Sequence, residues 1–169
     1  MSNDPPRSGG PIEPVVLAVA ALAILVADQV SKAAVATSIE VGQRVSVFGQ
    51  FVELWHAQNR GAAFSLFQGG TLFFLAVTVL ALGMIGYFYR TFRGGSLWLQ
   101  VMLGVALGGT LGNLVDRLRQ GYVTDFVSVG FGDLRWPTFN VADASIVLGI
   151  GATVIYLMLT DPARREASA

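Results

Sequence analysis

GGTLGNLVDRLRQGYVTDFVSVGFGDLRWPTFNVAD, running from Gly108 to Asp143, gathers Asn113, Asp116, Arg117, Asp125, Asn140 and Asp143 across the junction of two long apolar segments. Charged groups at membrane depth are expensive unless they pair or line a wet cavity, so each is a functional candidate. The two ends of this stretch must fold back on one another at a membrane surface. Asp125 and Asp143 then become the residues of most interest.

The surrounding composition fixes the class. Of 169 residues, 53% are hydrophobic and only 13% charged, against about a quarter charged in soluble domains. The mean hydropathy is +0.60, and the length suits one compact unit. Formal net charge is zero, which removes the bulk electrostatic case for nucleic acid. A single histidine, His56, and no cysteine argue against zinc, disulfides, thiol nucleophiles and iron–sulfur ligation. No cofactor is implied. Chemistry is left to Asp, Glu, Ser, Thr, Lys, Arg and Asn.

Outward from the opening stretch, hydropathy predicts four spans. They are Val15 to Ala27 continuing toward Ala36, Thr71 to Tyr89, Leu97 to Val115, and Val141 to Leu159, each near the ~20 residues that cross a bilayer. The Pro-, Gly- and Ser-rich residues 1–13 read as a disordered tail. Ala34-Val35-Ala36 has the form of a signal-peptide cleavage site, but Asp28, Gln29 and Lys32 separate it from the apolar run. A retained first span is therefore expected, within one domain over 14–160.

An even number of spans puts both termini on one side. Arg7, Arg90, Arg93, Arg164 and Arg165 fall there, against Lys32, Arg44, Arg60, Arg117, Arg119 and Arg135 opposite. The bare count decides little. The first group flanks helix ends closely, whereas several of the second sit beside acids or in candidate motifs, so the termini are assigned to the cytoplasm, with 161–169 a short tail there.

Two shorter segments complete the outline. QRVSVFGQFVELW, from Gln43 to Trp55, alternates at Val45, Val47, Val52 and Leu54 around Gly49-Gln50, which predicts a hairpin outside the lipid. Asn59 and Arg60 then precede the small residues Gly61, Ala62 and Ala63, a turn or helix start by composition.

Helical spacing groups the polar side chains. Asp28 and Lys32, four apart, share a face in the favourable order for an ion pair, either as a helix-end salt bridge or as part of a site. Ser31 and Lys32 are neighbours and point apart, so they form no serine–lysine dyad alone. Gly104, Gly108, Gly109 and Gly112 offer a smooth face for another helix. Asn113 shares a face with Asp116 and Arg117, and Asn140 shares the first turn with Asp143.

If Asp125 and Asp143 meet, they share a proton, one serving as base and the other as acid. Such a pair activates water against a peptide carbonyl without metal or covalent intermediate. Spacing alone leaves open the plainer account: a solvated loop acid at Asp125 and a helix N-terminal acid at Asp143. Asp133, in VGFGDLRWP, reads as an exposed turn.

Taken together the motifs resemble the bacterial lipoprotein signal peptidases, or signal peptidase II, a family of four-span membrane aspartyl peptidases. ADQVSK with Asp28 and Lys32, NRGAAFS from Asn59 to Ser65, GGTLGNLVDR through Arg117, VTDF around Asp125 and FNVADASI around Asp143 occur in the family's order. The resemblance implies a four-helix membrane fold with a small extracytoplasmic sheet between spans 1 and 2. It implies Asp125 and Asp143 as catalytic, with Asn59, Gly61, Asn113, Arg117 and Asn140 around them and Asp28, Lys32, Gly108 and Asp116 in support. The expected reaction is removal of the signal peptide from a diacylglyceryl-modified prolipoprotein, just before the lipidated cysteine, by a monomer at the outer face of the cytoplasmic (inner) membrane. The aromatic stretch from Phe126 to Phe139 is expected to act as a loop closing over substrate. Two rivals remain: an ion-coupled transporter, which predicts acids at mid-span, and a noncatalytic assembly subunit whose charges merely pair.

Overall fold

The computed structural model describes residues 12–61, 70–94 and 96–160. Its elements run α1 (Ile12–Ser38), β1 (Arg44–Phe48), β2 (Val52–Asn59), α2 (Gly70–Thr91), α3 (Leu97–Gln120), β3 (Val123–Phe131), β4 (Leu134–Arg135) and α4 (Val141–Thr160). All four helices are long and apolar enough to cross a membrane, and each carries a predicted span. Helix α1 begins at Ile12, inside the segment read as tail, because Glu13 is buried and accepts the Gly94 amide at 2.9 Å. Ala34 to Ala36 lie within α1, where Val35 packs with Ile39 and Phe126. Residues 62–69, including most of NRGAAFS, and the two termini lie outside the described residues.

Helix α3 is the centre of the bundle. Gly104, Gly108 and Gly112 recur every fourth residue and let α1 approach; a Cβ on Gly112 would sit 2.5 Å from Asp28 Oδ2. Gly109 and, from the other side, Gly149 do the same for α3 against α4. The glycines thus serve two neighbours rather than one face. Val15, Val19, Leu22, Val26, Val147, Leu148, Ile155 and Leu159 are exposed on the outer surfaces, as a lipid-facing surface requires.

The sheet is wider than the predicted hairpin. β1 and β2 pair as expected around Gly49-Gln50, but β2 runs on to Asn59 and pairs antiparallel with β3, which pairs with β4. Residues expected as a closing loop, Phe126 to Phe139, are therefore largely strand, and Asp133 is at the exposed β3–β4 turn. β3 is buried on both faces over Val123 to Phe126, so its sequence shows no clean alternation. Val35 of α1, Ile39 just past its end, Phe126 of β3 and the flanking Leu54, Val127 and Val141 form the core that seats the sheet on one end of the bundle.

Candidate active site

Three backbone features bring the polar residues together. Gly121 caps α3 in the left-handed region at φ 76°, its N–H donating to the Arg117 carbonyl, so the chain reverses at once into β3. There Asp125 is four residues away. The bridge Val127↔Phe139 then ties β3 to the lead-in of α4, with the Phe126 amide donating to the Phe139 carbonyl at 3.0 Å. The residue after Asp125 is thus bonded to the residue before Asn140. Third, Asn59 stands opposite Val123 in the β2–β3 register, which makes Asp125 its diagonal neighbour on one face.

Each carboxylate takes two amide donors. Asp125, 3% exposed, accepts Asn59 Nδ2 at 2.9 Å and Asn140 Nδ2 at 2.7 Å. Asp143 accepts Asn113 Nδ2 at 2.7 Å and the Asn140 backbone N–H at 3.2 Å. Asn140 touches both acids: its Oδ1 accepts the Asp143 amide at 2.9 Å, closing a reciprocal cap on α4. Asp143 does occupy the helix N-terminal position of the plainer account, yet one of its oxygens faces Asn113.

The orientation of all three asparagines is forced. Asn59 Oδ1 accepts the Gly61 N–H at 2.8 Å, Asn140 Oδ1 accepts the Asp143 N–H, and Asn113 Oδ1 accepts Lys32 Nζ at 3.0 Å. Those partners can only donate, so each NH2 group must face a carboxylate.

Lys32 does more than pair with its helix neighbour. Its three N–H groups reach Asp28 at 2.8 Å, Asp116 at 2.9 Å and Asn113, all buried. Asp28 Oδ1 also accepts the Ala142 amide at 2.9 Å, and Asp116 accepts the Thr124 amide at 3.3 Å. The predicted support residues therefore clamp the ends of α1, α3 and α4 and the start of β3. Gly108 has a separate part, the α1–α3 contact at Ala21. Ser31 donates to the Asp28 carbonyl, away from any dyad with Lys32. Arg117 donates to the Asn113 carbonyl at 3.3 Å, lies 4.7 Å above the Phe74 ring and is in charge reach of Asp143, Asp125 and Asp116. Gly61 has the Phe74 ring against its Cα, at φ 84°.

Two participants were not singled out in sequence. Gln29 donates to Asp116 at 3.0 Å and to the Gly112 carbonyl at 3.3 Å; its position three before Lys32 was the available signal. Thr124, inside VTDF, accepts at its carbonyl from Asn140.

Burial pushes the Asp125 carboxyl up from 3.8 to about 6, and the nearby Asp143 carboxylate adds to it; Asn59, Asn140 and Lys32 pull the other way. A carboxyl that holds its proton toward neutral pH beside a second carboxylate has the composition of an acid–base pair.

Known proteins resemble this chain over most of its length. Residues 20–159 match the family described as signal peptidase (SPase) II. This chain belongs to that family. It is 38% identical over 141 residues to the lipoprotein signal peptidase of Shouchella clausii, covering 83% of this chain and 91% of the relative. The Symbiobacterium thermophilum lipoprotein signal peptidase is 37% identical, with 85% and 94% covered. A solved bacterial membrane enzyme, determined by the in meso method at 1.9 Å, superposes with a TM-score of 0.79 at 29% identity over 93% of this chain and 99% of its own. The chain is accordingly a multi-pass membrane protein of a peptidase family.

Proposed function

We propose that this signal peptidase II family member removes the signal peptide from diacylglyceryl-modified prolipoproteins, cutting just before the lipidated cysteine, with Asp125 and Asp143 as an aspartyl dyad. The observation that carries the reading is Asn140, bonded to both carboxylates at once. In the resting dyad Asp125 holds the shared proton, in line with its raised value of about 6, and Asp143 is the base. Asp143 takes a proton from water as its oxygen attacks the scissile carbonyl carbon, while Asp125 gives its proton to the carbonyl oxygen. Collapse of the resulting diol breaks the C–N bond. One hydroxyl proton returns to Asp125 as the new carboxyl forms, and the proton held by Asp143 passes to the leaving nitrogen. The products are a signal peptide ending in a carboxyl group and a lipoprotein beginning with a free amine, and the dyad recovers its single proton.

Asn59, Asn113 and Asn140 fix the carboxylates, Arg117 near Phe74 stands at the approach to them, and Lys32 with Asp28 and Asp116 holds the helices beneath. Gly61 permits the close contact with Phe74 near the site, and Gly108 the α1–α3 contact at mid-helix. The acids cluster at one end of the bundle beside the sheet, which favours chemistry at the membrane surface over a mid-span ion path. That end faces outward and both termini lie in the cytoplasm: Lys32, Arg44 and Arg135 at the sheet end are paired with acids, whereas Arg90 and Arg93 at the other end have no ion pair among the described residues. Residues 14–160 form the single catalytic unit, and the clustering of the whole dyad within one chain suits a monomer.

The test is mass spectrometry of the products from lipidated and unlipidated forms of one prolipoprotein. Cleavage of the lipidated form alone, with the cysteine amine newly free, is expected; equal cleavage of both, or a cut elsewhere, contradicts the proposed specificity.

A further inference from the structure

The two supporting carboxylates are each bonded beside one member of the dyad. Asp28 Oδ1 accepts the amide of Ala142, the residue before Asp143, at 2.9 Å. Asp116 Oδ2 accepts the amide of Thr124, the residue before Asp125, at 3.3 Å. Whatever fixes Asp28 relative to Asp116 therefore fixes the start of α4 relative to β3, and with it the spacing of Asp143 and Asp125.

Lys32 makes one tie between the supporting carboxylates, through Asp28 Oδ2 and Asp116 Oδ2. An ammonium is a compact point charge on a flexible stem, and a carboxylate held at one oxygen can still turn about its Cβ–Cγ bond. Gln29 makes the second tie. Its Nε2 donates to Asp28 Oδ2 at 3.2 Å and to Asp116 Oδ1 at 3.0 Å, with the Gly112 carbonyl at 3.3 Å. All three partners can only accept, so the NH2 end of the amide is fixed against them. Asp116 is thus gripped at both oxygens, Oδ1 by Gln29 and Oδ2 by Lys32, which aims Oδ2 at the Thr124 amide. The amide also adds donors without adding charge, where one ammonium already serves two buried carboxylates.

We propose that Gln29 is a positioning residue: by tying Asp28 to Asp116 it sets the separation of Asp143 and Asp125, a role that rests on the reading of those two as the dyad. It acts through the amides of Ala142 and Thr124, so its loss shows as slower chemistry rather than as weaker substrate binding.

The experiment is initial rates of signal-peptide release from a diacylglyceryl-modified prolipoprotein by the full chain in detergent. Wild type, Gln29→Met, Asp116→Asn and the double variant are compared, each well below its own midpoint of thermal unfolding. Gln29→Met keeps the length of the side chain and loses its donors. Its kcat is expected to fall about tenfold or more, with KM within about twofold of wild type. The double variant should lose much less than the product of the two single losses, because both changes cut the same tie. A kcat for folded Gln29→Met within about twofold of wild type, a loss confined to KM, or single losses that multiply in the double variant, overturns the proposal. If Gln29→Met does not fold, Gln29→Asn, one methylene too short to span both carboxylates, is held to the same outcomes. An inert wild type, or normal release by folded Asp125→Asn or Asp143→Asn, overturns the dyad reading itself and the role of Gln29 with it.

Discussion

Replacing Lys32 with Met should destabilise this protein more than any other single change at the polar cluster. The methionine keeps the length of the side chain but removes three hydrogen bonds, to Asp28 and Asp116 at 2.8 and 2.9 Å and to Asn113 at 3.0 Å. Asp28 is fully buried and Asp116 is 5% exposed, so two buried carboxylates lose their ion-pair partner. Removing one partner of a buried ion pair costs about 3–5 kcal/mol, which for a chain of this size lowers Tm by roughly 6–20 °C. Asn113 also loses the shorter of the two hydrogen bonds to its Oδ1, keeping only that from Asn140 Nδ2 at 3.2 Å, so activity should fall even where the protein is folded. Asp28→Asn is the internal comparison. It preserves the Oδ1 acceptor for the Ala142 amide and leaves Lys32 paired with Asp116, but turns an NH2 toward Lys32 Nζ and Gln29 Nε2, which Oδ2 had accepted; with one pair lost instead of two, its cost should be about 1.5–3 kcal/mol, below that of Lys32→Met. Thermal unfolding of both variants in detergent, followed by tryptophan fluorescence, reads the difference. A Tm for Lys32→Met within 2 °C of wild type, or below that of wild type by less than the drop in Asp28→Asn, would refute the reasoning.

Further outcomes follow from the same geometry. Asn140→Ala removes the donor to Asp125 and half of the reciprocal cap on α4; a stability loss of about 1 kcal/mol should accompany a fall in kcat far larger than any change in KM, measured by initial rates. Gly108→Ala drives a methyl into the Ala21 carbonyl of α1, and should lower Tm through overpacking of about 1–3 kcal/mol, while the distant Gly83→Ala, with open space at its Cβ, should not. Because Asp125 titrates at about 6 in the folded protein against 3.8 ordinarily, its contribution to stability is present below 3.8 and is lost as pH rises through about 6. That change amounts to about 3 kcal/mol, and Asp125→Asn should flatten it in thermal scans between pH 4 and pH 8. For the same reason kcat/KM of the wild type should decline as pH rises past about 6, where the free enzyme loses its shared proton.

The spans were legible because hydropathy over ~20 residues is a strong signal, and the structure extends them mainly at polar ends: α3 continues through Arg117 and Arg119 to Gln120. The β1–β2 hairpin was legible from alternation around Gly49-Gln50. The β3 and β4 strands were not, because β3 is covered on both faces and Trp136-Pro137 broke the pattern of the return. Asn59 read as a turn residue since nothing local marks it as the end of a strand; its place beside Asp125 is set by register with residues more than sixty positions away. Lys32 and Asp28 were paired correctly from spacing, but the second carboxylate, Asp116, comes from another helix. Such long-range contacts follow from helix packing through Gly108 and Gly112, which a chain-local reading does not supply.

The central claim is that Asp125 and Asp143 act together on a peptide bond. A gel-shift assay of signal-peptide release from a diacylglyceryl-modified prolipoprotein tests it most directly, comparing wild type with Asp125→Asn and Asp143→Asn after thermal unfolding has established that each variant is folded. The account predicts release by wild type and a loss of roughly a hundredfold or more in each variant. Normal release by either folded variant would contradict it.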